Sequence, residues 1–487
     1  MARRRLFSPL VLIVLAIVIL TVIFLSLGAQ KSGAIDQHKI AARVLNETAH
    51  GGMAEALVVL ASQANLAPAA NLPTKLAKGQ FVVNALHEVA DRTQAPIISL
   101  LKQRGVRYQP FWLVNMIQVT GNRALMEELS ARADVKQIDA NPYVKTGLPV
   151  PTAFETQQPS GIEWNVNKVK APKVWKLGFK GQGMVVAGAD TGVQWDHPAL
   201  KGHYRGWDGS KANHDYNWHD ATPDQSPTPI DPYGHGTFTV SQMVGDDGLG
   251  NQIGVAPGAQ WIACRNMDAS GTGSPTRYTE CFQFLIAPYP IKGGKGNPAL
   301  APDSINNSWT CPPSEGCSAN TLQQIVDNVR AAGIFPAMAA ANSGPSCSTI
   351  SDPPGIYQSS VTVGAVDSTN LIANFSSRGP VTSDGSNRRK PDISAPGVNI
   401  RGAVPPNGYQ SGWSGTSMAT PHVAGGVALI WQAKPSLIGN IDATETLMTK
   451  TALHLKTSET CGGTQGKIPN NVYGYGLLNL YKAVTAK

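Results

Sequence analysis

Cysteine is absent ahead of position 264 in this 487-residue chain; all six, Cys264, Cys281, Cys311, Cys317, Cys347 and Cys461, lie in the back half. No pair has the C-x-x-C spacing of a zinc or redox site, which argues against both. An even count in an exported chain favours disulfides over free thiols. The connectivity stays open, although Cys311 and Cys317 are close enough to form a small loop. A long basic tract is also missing. The formal net charge of +8 is spread along the whole length, so a solvated surface is preferred over nucleic-acid binding. Nor is the chain repetitive or poor in apolar residues. At 42% hydrophobic it can bury one large core with a smaller module beside it.

What is present begins with a membrane signal. Arg3, Arg4 and Arg5 precede an apolar run from Leu10 to Leu27, broken only by Thr21 and Ser26 and longer than the usual signal-peptide core. Residues 1–30 are therefore expected to be an uncleaved anchor, with a cleaved signal as the alternative; the basic cluster stays in the cytoplasm and the rest crosses. Residues 31–150 read as a small α+β module. "FWLVNMIQVTGN" (Phe111 to Asn122) predicts a strand and turn, "RALMEELSAR" (Arg123 to Arg132) a short helix, and "VKQIDANPYV" (Val135 to Val144) another strand. The polar, Pro-containing stretch 151–163 has linker composition. From 164 to 487, apolar runs such as "GMVVAGAD", "WIACRN", "SINNSW" and "IFPAMAAAN" alternate with helical segments such as "TLQQIVDNVRAAG". That alternation predicts an α/β fold, a mostly parallel sheet with helices on both faces. Ligands of such sheets bind beyond the carboxyl ends of the strands, where Asp190 and Asn342 stand.

The chemistry concentrates in "WSGTSMATPHVAGGVALIW" (Trp413 to Trp431), where Trp413 to Thr416 reads as loop and the residues from Met418 onward as a buried helix. Ser417 lies at the helix start, where backbone N–H groups lack partners and carry partial positive charge. Pro421 is tolerable so near that start. A helix-start serine is often a plain cap, and becomes a nucleophile only if a base removes its proton and a carboxylate orients the base. "DPYGHGTFTVSQMVG" offers His235 between two glycines, and "GADTGVQWDHP" offers Asp190 at a strand end. Taken singly, such a histidine is usually structural and such an aspartate a turn former. Their joint presence with Ser417 favours catalysis.

In order and well separated, "DTG", "GHGT" and "GTSMATPH" resemble the signatures of the subtilase family of serine peptidases, and Asp, His, Ser is the chain order of subtilisin. "GVAPGA", "NFSSRGP", "KPDISAPGVNI" and "GYGLLNLYKAV" extend the likeness from about Trp164 to the C-terminus. "IAPYP" followed by "INNSW" is more similar to the bacillopeptidase F branch than to the small secreted subtilisins. The resemblance implies a subtilisin-like fold and peptide-bond hydrolysis through an acyl-enzyme. Asp190 would orient, His235 act as general base then acid, and Ser417 attack the carbonyl. Asn342 in "AAANSG" occupies the place of the family's oxyanion-hole asparagine, acting with the backbone N–H of Ser417. Ser308, Trp309, Thr310 and Ala341 would line the primary specificity pocket. The family usually has glycine where this chain has Ala341, and glycine is common where it has Thr310; both add bulk to that wall.

The resemblance also implies that residues 31–150 are a propeptide that assists folding and occupies the active site until removed, so the expected partners are protein or peptide substrates, the chain's own propeptide, and a membrane through the N-terminal helix. Cofactors are expected to be none. The loop "GDDGLGNQIGVAP" is shorter than the calcium loop of well-known members and keeps few of its ligands. "HPALKGHYRGWDGSKANHDYNWHD" (His197 to Asp220) collects His197, His203, His214, His219, Asp208, Asp215 and Asp220 without the spacing of a standard metal site, and reads as a solvated surface insertion. Asp352, ten residues after Asn342, falls near the base of the primary pocket or merely caps the turn opened by Pro353 and Pro354. A noncatalytic binding module on the same fold is the rival function.

Overall fold

A computed structural model describes residues 36–145, 147–149 and 161–487. Its larger body is built on seven strands in the order Ile393–Pro396, Val361–Val366, Phe335–Ala339, Ser304–Asn307, Val185–Asp190, Gln260–Arg265 and Trp218–Asp220. Every pair in this sheet is parallel. Successive side chains of a strand point to opposite faces, so each strand feeds two cores. Val186, Ala263, Ala337 and Val363 pack on the side of the helices His235–Val244 and Thr416–Ala433. Ala187, Ala189, Cys264, Ile305 and Met338 face the other side, where Pro275–Ile286 and Gln323–Ala331 lie. Continuous apolar runs in the sequence reflect this two-sided burial. Helix Thr416–Ala433 is buried along nearly its whole length, so its start is held rigidly at the carboxyl ends of the strands.

The smaller body is a four-stranded antiparallel sheet ordered Tyr108–Phe111, Met116–Asn122, Met53–Leu60, Val135–Ala140, with the helices Lys75–Gln103 and Arg123–Ser130. The strand Met53–Leu60 and the 29-residue helix were not legible in the sequence patterns above. One face of the sheet is not self-sufficient. Leu57, Phe111, Leu113 and Val114 share a core with Phe282, Ile325 and Val329 of the larger body. Hydrogen bonds fix the register of this docking: the Gln283 side chain accepts from Trp112 and Leu113 N–H, and Asn328 Nδ2 donates to the Leu113 carbonyl. Lys75 pairs with Asp303 at 2.7 Å, the two being mostly buried.

Beyond the small sheet the chain runs into the larger body. Val144–Lys145 pairs antiparallel with Thr272–Gly273. A Cβ at Gly415 would lie 2.5 Å from Pro149 Cγ, so only glycine lets segment 147–149 come this close. Residues 150–160, most of the expected linker, lie outside the described residues, as does the apolar run Leu10–Leu27. The described end of the linker already belongs to the larger body, since Gly161–Ile162 pairs with Asn251–Gln252 and Glu163 binds Arg401. No helix among the described residues is long and apolar enough to cross a membrane. The cysteines form three disulfides, Cys264–Cys281, Cys311–Cys317 and Cys347–Cys461. Such bridges persist in oxidising, extracytoplasmic compartments.

Candidate active site

Asp190 is the last residue of strand Val185–Asp190, and His235 is the first of helix His235–Val244, which the two glycines around it allow to start abruptly. His235 Nδ1 lies 2.7 Å from Asp190 Oδ1, with both side chains buried. A carboxylate only accepts, so Nδ1 carries the proton and Nε2 presents its lone pair. None of the described residues bonds that buried Nε2. Asp190 is held in turn: Oδ1 also accepts from Thr191 N–H at 2.7 Å, and Oδ2 from Thr239 Oγ1 at 3.3 Å.

A residue that sequence reasoning missed ties these parts together. Buried Asp231 accepts from Thr191 Oγ1, Gly234 N–H, Thr237 N–H and Thr237 Oγ1, all within 2.6–2.8 Å. The N–H of Gly236 closes the knot by donating to Thr191 Oγ1. One carboxylate thus binds the turn after Asp190 to the first turn of the His235 helix, at the end where a negative charge is favoured. The signal available was only its position four residues ahead of His235 in "DPYGHG".

Ser417 sits in the first turn of helix Thr416–Ala433. Its hydroxyl donates to the Ser308 carbonyl at 3.1 Å, and Ser308 Oγ donates back to the Ser417 carbonyl at 3.0 Å. In this conformation Ser417 Oγ makes no hydrogen bond to His235. Asn342 is exposed, and its Oδ1 accepts from Thr416 N–H at 2.8 Å and Thr416 Oγ1 at 2.9 Å. Those bonds turn Nδ2, the donor end, away from Thr416 and leave it unused by any described residue.

Ser308, Trp309, Thr310, Ala341, Asn342 and Ser417 all line one cavity of about 500 Å³. Trp309 does so with its indole turned inward: Nε1 donates to the Ala189 carbonyl at 2.9 Å and the ring stacks on Tyr278 at 3.9 Å. It braces the wall and the Asp190 strand together and does not present an exposed side chain. Ala341 adopts φ +74°, the left-handed region, which explains why glycine is usual in the corresponding place. Trp413, read as loop, ends the strand Gly408–Trp413 and stacks on Phe238.

The histidine-rich segment corrects the solvated insertion in part: Asp208 to Lys211 and Asn213 are exposed as expected, but the histidines are packed. His197 is fully buried and its Nε2 meets the Gly408 carbonyl, His203 contacts the Asp246 carbonyl, His214 the Tyr204 hydroxyl, and His219 lies 2.7 Å from Glu280. Burial holds His197 and His203 below the ordinary histidine range. Strand Trp218–Asp220 places the segment's end at the sheet edge, which is why it packs. No group of three or more acidic, histidine or cysteine side chains suited to a metal exists among the described residues. In the loop expected to lack calcium ligands, Asp247 accepts from Leu249 N–H, Asn251 N–H and Tyr409 OH.

The sequence profile described as the Subtilase family matches residues 181–476. Bacillopeptidase F of Bacillus subtilis (strain 168) is 38% identical over 435 residues, 85% of this chain and 29% of that protein. An alkaline protease of Alkalihalobacillus alcalophilus is 30% identical over 358 residues, 73% of this chain and 77% of that one. Subtilisin Savinase of Lederbergia lenta is 31% identical over 318 residues, 65% of this chain and 97% of that one. The chain thus spans less than a third of the bacillopeptidase but nearly the whole of the subtilisin.

Proposed function

This chain belongs to the subtilase family of serine peptidases, and from that premise we propose that it hydrolyses peptide bonds in proteins by attack of Ser417, with His235 and Asp190 as its base and orienting carboxylate. The observation that carries the reading is the buried 2.7 Å pair of His235 Nδ1 and Asp190 Oδ1, with Nε2 left without a partner among the described residues. Once Oγ swings from the Ser308 carbonyl toward Nε2, His235 takes its proton as Oγ adds to the substrate carbonyl, and gives it to the leaving amine. Asp190 stabilises the imidazolium so formed without being protonated itself. Asn342 Nδ2 and the backbone N–H of Ser417 stabilise the oxyanion at the positive end of the helix. Water then repeats the cycle on the acyl-enzyme.

The same reading makes residues 31–150 an intramolecular inhibitor. It is supported by the pairing of Val144–Lys145 with Thr272–Gly273 and by the approach of Pro149 to Gly415, next to Thr416 and Ser417. The disulfides support export, and the arginine-preceded apolar run Leu10–Leu27 supports an anchor in the membrane. A fluorophosphonate, which acylates only activated serines, tests the reading directly. Mature protein should label at Ser417, and Ser417→Ala should neither label nor cleave casein. Absence of label on the native mature protein would leave only the noncatalytic binding module.

A further inference from the structure

The cavity beside Ser417 is acidic and holds no cation of its own body. Of the residues lining it, Asp352 and Glu315 carry carboxylates and Lys145, from the N-terminal module, carries the only positive charge. Glu315 Oε2 accepts the backbone N–H of Lys145 at 2.6 Å, a bond that disappears when the module leaves. Asp352 is half-buried, and its carboxylate takes a single hydrogen bond, from Ser351 Oγ at 2.8 Å. No lysine or arginine among the described residues pairs with it. A turn-capping role is also barred, because Pro353 and Pro354 have no N–H to donate, and Asp352 accepts none from beyond them. A carboxylate partly stripped of water, unpaired, and directed to no structural task is costly to keep unless something else uses it.

With this cavity as the primary pocket of the peptidase reading, we propose that Asp352 makes it select lysine or arginine before the scissile bond. The proposal rests on the peptidase function above and deepens it. Two effects act in the same direction. An incoming ammonium or guanidinium forms a charge-assisted hydrogen bond with Asp352, whereas an apolar side chain covers the carboxylate without pairing it. Ser308, Thr310 and Ala341 form walls beside it, and the cavity of about 500 Å³, lined on its other side by Lys145, Gly147 and Leu148 of the module, opens further once the module leaves. A contact of this kind discriminates by about ten- to a hundredfold.

Mature native enzyme is offered quenched fluorescent peptides identical except for Lys, Arg, Leu, Phe or Glu before the scissile bond. The Lys and Arg peptides should exceed Leu and Phe in kcat/KM by about tenfold or more, and benzamidine, a small guanidinium-like cation, should compete with them. Asp352→Asn, which keeps the shape, and Asp352→Ser should each lower the Lys-to-Leu ratio about tenfold and weaken benzamidine. A native preference for Leu or Phe overturns the proposal without needing any variant, and so does a Lys-to-Leu ratio that survives in Asp352→Asn. If no peptide is cut and fluorophosphonate fails to label Ser417, the peptidase function falls and this proposal with it, an outcome distinct from active enzyme with another preference.

Discussion

Ala341 shows how a single side chain can sit against the backbone it occupies. At φ +74° a Cβ meets the following carbonyl, a clash costing roughly 1–2 kcal/mol for a non-glycine residue. Replacing it by glycine removes that cost but adds about 0.4–1 kcal/mol of unfolded-chain freedom. Relief of the clash outweighs the added freedom, so Ala341→Gly should stabilise the protein by roughly 0.5–1 kcal/mol. Urea unfolding in a Ser417→Ala background, which avoids self-digestion, measures this; a loss of stability would mean the loop relaxes the strain. At this scale the sequence was enough to single out candidates. Asp190, His235 and Ser417 each stand in a short local context, a strand end, a glycine-flanked histidine, a helix start, and the structure brings the first two to 2.7 Å of each other. Asp231 was not legible, because a buried carboxylate that knots two turns looks in sequence like any aspartate before a proline.

At the scale of elements, the helix Thr416–Ala433 carries the proposed nucleophile, and its own His422 ties it to Asn165. The His422 Nδ1 meets the Met418 carbonyl at 2.9 Å, and its Nε2 lies 2.8 Å from Asn165 Nδ2, so the neutral ring is satisfied at both ends. Burial lowers its pKa from 6.5 to about 4. Since the folded value lies below the unfolded one, the unfolded chain takes up the proton first as pH falls. Stability from His422 is therefore complete above pH 6.5 and is lost as pH falls toward 4, a change of about 3 kcal/mol. Buried His197 and half-buried His203 tilt the curve the same way. Unfolding free energies of Ser417→Ala measured across this range should fall accordingly. The fall should be about 3 kcal/mol shallower when His422→Gln is added, and an unchanged slope would refute the assignment to this residue. The strands Val185–Asp190, Gln260–Arg265, Ser304–Asn307 and Phe335–Ala339 were visible as apolar runs to within two residues or so. The sheet edge at Trp218–Asp220 was hidden in a polar, histidine-rich stretch whose burial depends on Trp261, Glu280 and Gly408, all distant in the chain.

Across the whole molecule, the three disulfides differ in what they constrain. Cys347–Cys461 links positions 114 residues apart and ties the chain just past Asn342 to the C-terminal segment, whereas Cys311–Cys317 spans six. On chain-entropy grounds the long loop restrains the unfolded state by about 5 kcal/mol and the short one by about 2. Replacing Cys347 and Cys461 together by serine should thus cost roughly twice the stability lost with Cys311 and Cys317. Folded Cys347→Ser/Cys461→Ser protein should still label with fluorophosphonate, since neither cysteine touches the reacting groups. Denaturation midpoints for the two double variants decide the ranking. The six cysteines were countable in the sequence, but which pair lies together depends on where strands and loops end in space.

The sequence by itself determined the α/β alternation, the order Asp190, His235, Ser417 and hence the family, because two-sided burial of a strand writes a continuous apolar run and each of the three residues sits in its own short motif, "DTG", "GHGT" and "GTSMATPH". Only the tertiary structure decided the rest. It set Val144–Lys145 beside Thr272–Gly273, joined Cys347 to Cys461, buried His197, and placed Asp352 in the cavity next to Ser417 with Ser351 as its hydrogen-bond partner. Each of these is a meeting of segments far apart in the chain, made possible by the summed burial of two cores. A contact of that kind leaves no local pattern in either segment, so it became visible only when the chain was closed on itself.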